Sequence, residues 1–165
     1  PVFTALPRHA FPTLLPQPHR LDFGPTADQG VATCVPAQVG EPYQTFVSAV
    51  DADGNEIAGI RLPDVTVPLA TYTGWNPRHP SQGAPEQALR TQGATIPLAP
   101  TKEAREQNAD PRAAITERYS SKEEYLELVT NAAEALVAER YLLAEDVAGV
   151  VQRAAQRYEA FTGQK

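Results

Sequence analysis

The spacing of hydrophobic residues changes twice along the chain. Up to residue 42, apolar side chains such as Phe3, Leu6, Phe11, Leu14, Leu21, Phe23 and Val31 follow neither the period of a strand nor that of a helix. Prolines at 1, 7, 12, 16, 18, 25, 36 and 42 interrupt them. Each proline fixes φ and removes a backbone donor, so residues 1–42 are expected to form an extended loop layer. Its apolar groups need another surface to shelter them.

From residue 43 to 100 the pattern is one of short runs between turn residues. Gln44–Val50 and Ile57–Leu62 predict two strands. Between them Asp51-Ala52-Asp53-Gly54-Asn55 holds residue pairs that tolerate positive φ, which predicts a tight β-hairpin. Pro63, Pro68, Pro77 and Pro80 confine any further pairing to short or edge segments.

From residue 101 onward the helical period dominates. Asp110-Pro111 reads as an N-cap and first helical position for a short helix through Ile115. Ser121-Lys122-Glu123-Glu124 is a capping box, in which the Ser121 oxygen accepts from the N3 amide and the Glu124 carboxylate reaches back to the cap amide. It opens a helix to about Leu142, with Tyr125, Leu128, Val129, Ala132 and Leu136 on one stripe. A second helix starts near Glu145 and Asp146 and carries Val147, Val150, Val151, Ala154, Tyr158 and Phe161 on its apolar face. The short connection predicts an antiparallel helical pair. The fold class expected is therefore α+β or an incomplete α/β arrangement, in which 1–42, 43–100 and 101–165 form one structural unit.

A chain of 165 residues supports one core of ordinary size. Its formal charge of −6 lacks the clustered Lys and Arg that phosphate backbones require, so nucleic acid is excluded as a partner. No run approaches the length of a membrane span, and the first residues have no basic region followed by an apolar stretch. The expectation is a soluble protein with no membrane partner, with the compartment left open between cytoplasm and export. Cys34 is the one cysteine and reads as a small apolar residue.

Candidate chemistry is sparse. The serines are Ser48, Ser81, Ser120 and Ser121, and none stands in Gly-x-Ser-x-Gly, the strained turn that exposes a nucleophile. His9, His19 and His79 fall in Pro-rich loops without metal-ligand spacing. Asp51, Asp53 and Asn55 resemble the opening of a calcium loop, but its sixth position is Glu56 and its twelfth Leu62, so a hairpin turn is the better reading. No catalytic residue, metal or cofactor is assigned. The most unusual stretch is Pro68–Pro77, which gathers Tyr72, Thr73, Trp75 and Asn76 around Gly74. Amphipathic aromatics beside an amide suit contact with a small organic ligand, which makes these four the candidate pocket residues. The competing reading is that Trp75 plugs a core beneath the loop.

The run Val50–Pro63, followed by Val67-Pro68-Leu69-Ala70-Thr71-Tyr72-Thr73-Gly74-Trp75-Asn76, resembles the C-terminal region of the large bacterial alpha/beta hydrolase domain-containing proteins. Glu117-Arg118-Tyr119, the Ser121–Leu126 cap and Ala138–Val147 resemble that family's terminal helices. The resemblance implies the C-terminal part of an α/β-hydrolase fold and an esterase-like activity for the complete protein. It also implies that the serine elbow and the triad histidine lie upstream of these residues. This portion would then supply a sheet edge, a covering layer and part of the pocket wall. Its partner would be the upstream hydrolase segment or a second copy of itself. A non-catalytic binding or interaction module built on the Trp75 loop is the alternative.

Overall fold

The computed structural model describes residues 18–44, 46, 48–77, 81, 83, 88–89 and 91–163. Among these are three short antiparallel strand pairs and five α-helices, four of which follow the last strand. β1 (His19–Asp22) pairs with β2 (Gln38–Pro42), setting Leu21 opposite Val39. β3 (Ala70–Thr73) pairs with β6 (Ala94–Pro97), and β4 (Asn76–Pro77) with β5 (Ala88–Leu89).

The first pair corrects the expected loop layer. Residues 19–42 fold back as a two-stranded arm, and His19 lies in a strand, its Nδ1 2.8 Å from the Gly40 carbonyl. Pro42 is tolerated because it closes the end of a two-stranded pair. Every residue of both strands is exposed. His9 and His79 lie outside the described residues.

The expected hairpin over 44–62 is also corrected. Among the described residues in this range there is only an isolated bridge between Val50 and Glu56 around the predicted turn. The turn itself forms, with Gly54 at φ 80°. Among the described residues the two flanking runs do not extend it into strands. Side chains take over the pairing, because the Asp51 carboxylate accepts from the amides of Asp53 and Asn55, each at 3.0 Å.

Pro63 opens α1 (Pro63–Thr66), where a missing amide costs nothing. Beyond it, part of the expected Pro68–Pro77 loop is strand. The β3–β6 pair is admitted by Gly93, where a Cβ would stand 2.4 Å from the Thr73 carbonyl oxygen. α2 (Lys102–Gln107) is capped by Thr101, whose hydroxyl accepts from the Ala104 amide.

Asp110 is not a helix cap. The next helix, α3, spans Ile115–Arg118, and Glu117 reaches back to accept from the Ala114 amide at 2.8 Å. The Asp110 carboxylate is instead drawn inward by Arg112.

α4 (Lys122–Ala138) starts as expected, with the Ser121 hydroxyl accepting from the Glu124 amide at 3.2 Å. Glu124, however, accepts from the amide and hydroxyl of Ser120 rather than from Ser121. The helix ends before Leu142 because Arg140 turns left-handed at φ 67° and the Tyr141 amide donates back to the Leu136 carbonyl. After a 3₁₀ turn at Ala144–Asp146, α5 spans Val147–Thr162.

Lys122, at the start of α4, bonds Glu159 near the end of α5 at 2.5 Å, so the two helices run antiparallel. The core lies between this pair and β3. It contains Leu69, Leu98, Ile115, Tyr119, Tyr125, Val129, Ala154 and Tyr158. Each fully buried Leu, Ile or Val contributes about 1.5–3 kcal/mol. Tyr125 stacks on Tyr158 and meets Tyr119 edge-on. Among the described residues no helix is long and apolar enough to cross a membrane.

Candidate functional site

The turn that failed to grow into a hairpin is the floor of the site. Asn55 is fully buried, and its amide does the work of a strand residue. Its Nδ2 donates to the Ala70 carbonyl at 3.1 Å, and its Oδ1 accepts from the Tyr72 amide at 2.8 Å. This clamps the Asp51–Asn55 turn against the outer edge of β3.

Two arginines lock the same turn from below. Arg118 forks onto both carboxylate oxygens of Asp53. The Thr71 hydroxyl donates to the Asp53 carbonyl and accepts from Arg112 Nη1 at 2.8 Å. Arg112 is 2% exposed and also donates to the carbonyls of Ile96 and Pro97, at 3.0 Å each, and to Asp110. Burial alone would raise the Asp110 pKa, but the hydrogen bonds and charge of Arg112 outweigh it and hold the carboxyl below its ordinary value. Turn, β3 and β6 are thereby one rigid polar assembly.

A cleft of about 330 Å³ opens where this assembly meets the segment leading to α1. Asn55, Glu56, Ala58, Ile60, Arg61 and Val65 line it from the turn side, and Tyr72, Thr73 and Gly74 from β3. Arg61 Nη2 donates to Asp51 Oδ2 at 2.5 Å and to the Val65 carbonyl at 3.2 Å. Burial, then the neighbouring Tyr119, push the Tyr72 phenol up to about 12. Its oxygen accepts from Arg157 Nη1 at 3.3 Å, and Arg157 in turn pairs with Asp64.

Of the four candidate pocket residues, Tyr72 and Thr73 line this cleft, whereas Trp75 and Asn76 do not. Trp75 is half-buried, neither in the core cluster nor free on the surface, and its carbonyl accepts from the Thr73 hydroxyl at 2.5 Å. Asp51 and Asp53 present their carboxylates to Arg61 and Arg118. Among the described residues no group of three or more His, Cys, Asp or Glu could hold a metal ion.

Residues 16–152 match the sequence profile of the alpha/beta hydrolase domain family, most of the 165-residue chain. The chain belongs to the alpha/beta hydrolase domain family. Neither the curated proteins nor the solved structures contain a match to it. In this member of the alpha/beta hydrolase domain family the matched span takes in the β1–β2 arm, the cleft and α4. Arg61, Glu56 and Asn55 are the cleft residues that sequence reasoning passed over. Asn55 was legible as a turn former and as a calcium-loop position, not as a clamp on β3, and nothing in the spacing of Arg61 from Asp51 marks the pair, because it depends on the chain doubling back.

Proposed function

We propose that this chain is the structural and pocket-wall portion of an esterase-type serine hydrolase, with the nucleophile and its base supplied by another stretch of polypeptide. The observation that carries the reading is a hydrolase-family chain with no Gly-x-Ser-x-Gly among its 165 residues. Two of its serines have structural work. Ser121 caps α4, and the Ser120 hydroxyl donates to Glu124.

The arm supports the partner in this reading. A two-stranded pair alone is marginal in water, and this one leaves Leu21 54% and Val39 69% exposed on the same face. Val35 at 81% and Phe46 at 80% extend the uncovered apolar surface. A domain is a unit with one core, and the arm falls inside the family match while its strands stay exposed. The surface that covers it is then another part of the same hydrolase domain, or a second copy of the chain.

The alternative is a non-catalytic binding or interaction module built on the Trp75 loop, of which Tyr72 and Thr73 line the cleft. Light scattering with a hydrophobic dye tests the partner. Association or strong dye binding by the purified chain is expected. A monomer that binds no dye would overturn the need for a partner and favour the module.

A further inference from the structure

We propose that a second cleft, between the segment leading to α1 and the C-terminal end of α4, binds a small amphipathic ammonium compound, with Glu139 as its counter-charge. The inference goes beyond the hydrolase reading and does not depend on it.

This cleft holds about 600 Å³, within the range of organic-ligand sites. Its wall is apolar at Ile60, Ala132, Ala135 and Leu136, and Glu139 and Tyr141 complete it. Ile60 and Tyr141 are each 56% exposed, so a ligand reaches this apolar surface directly from solvent. Glu139 is exposed as well.

The charge at this end of α4 is uncompensated. At the other end Glu123 and Glu124 stand in the first turn, where the helix dipole favours acids. The last turn has no basic residue. Its C-cap is Glu139, a carboxylate placed where the helix already carries about half a negative charge. Among the described residues Glu139 makes no ion pair. Arg140 follows it in the left-handed conformation, at φ 67°, and is likewise without an ion pair among them. Arg61 also lines the cleft, but Asp51 Oδ2 lies 2.5 Å from its Nη2 and matches its charge. Two negative charges at one helix end are a local conflict that a bound cation relieves.

The lining also selects the kind of cation. One carboxylate cannot complete the oxygen shell of a metal ion, and the apolar wall calls for a hydrocarbon body. An organic ammonium meets both conditions, and the Tyr141 ring offers it a face. A carboxylate ligand would oppose Glu139 and the helix end together, while a neutral one would leave their repulsion in place.

The test is a titration of the full 165-residue chain at neutral pH and low salt, followed by amide NMR. The probes are 2-phenylethylammonium, 2-phenylethanol as the neutral match and 3-phenylpropionate as the anion. Saturable shifts at Gly59, Ala135 and Tyr141 are expected with the ammonium. Binding should be about threefold or more weaker for the alcohol and about tenfold or more weaker for the anion. Glu139→Gln should bring the ammonium down to the alcohol without lowering the melting temperature, because it removes an acid from the wrong end of a helix. Ala135→Phe, at an exposed position of the wall, fills the cleft and should abolish the shifts. Equal binding of the three probes, shifts confined to other residues, no saturable shifts, or unchanged ammonium binding by Glu139→Gln would overturn the proposal.

Discussion

Arg112 and Asp110 form an ion pair almost wholly withdrawn from solvent, with side chains 1% and 6% exposed. Nε lies 3.0 Å from Oδ1 and Nη2 2.7 Å from Oδ2, a two-pronged contact that fixes the guanidinium plane. Asp110→Ala would leave a buried arginine without its counter-charge. We expect a loss of about 3–5 kcal/mol, read from the urea midpoint. The Asp110 pKa is depressed, so its contribution is fully present above the unfolded value near 3.8 and is lost as pH falls through the lower folded value. Asp110→Asn should flatten that acid limb of the stability profile.

At the alkaline end three phenols, those of Tyr72, Tyr119 and Tyr125, act in the opposite sense. Burial is the chief cause raising both Tyr72 and Tyr119 to about 12, and the fold favours their neutral forms. Their contribution is complete below the ordinary value of 10 and disappears as pH rises through about 12. Tyrosinate absorbance should show three groups titrating late in the folded chain, because burial raises the Tyr125 phenol as well, together with falling stability. Tyr72→Phe should remove one of them.

Asn55→Ala tests the clamp between the turn and β3. It leaves the Ala70 carbonyl and the Tyr72 amide without their side-chain partner in a buried place. A loss of roughly 2–4 kcal/mol is expected by denaturant titration. Asn55→Asp should also destabilise, because a carboxylate cannot donate to the Ala70 carbonyl.

The arm predicts a contrast. The double variant Leu21→Asp, Val39→Asp alters two exposed residues that face each other across β1 and β2. Thermal stability should change by less than about 0.5 kcal/mol per site, while hydrophobic-dye binding and association fall. A large drop in melting temperature would show that the arm is part of this chain's own core.

The helices were legible because their information is local. The Ser121 cap and the stripe through Tyr125, Val129 and Leu136 specify α4 within one stretch of chain. The strands were not, because β3 needs β6, more than twenty residues later, and the interval offers no periodic signal. Asp110-Pro111 carried a real capping pattern that lost to a stronger partner two residues on. Tyr72 and Thr73 could be singled out by composition. Arg61 and Asn55 could not, since their roles depend on contacts formed only when the turn docks on β3.

In the proposed reading this hydrolase-family chain does not carry its own nucleophile. Initial-rate hydrolysis of a short-chain activated ester by the purified 165-residue chain tests it most directly. We expect no rate above buffer at any enzyme concentration. Turnover that scales with chain concentration, persists through further purification and is lost on substituting one serine of this chain would contradict it.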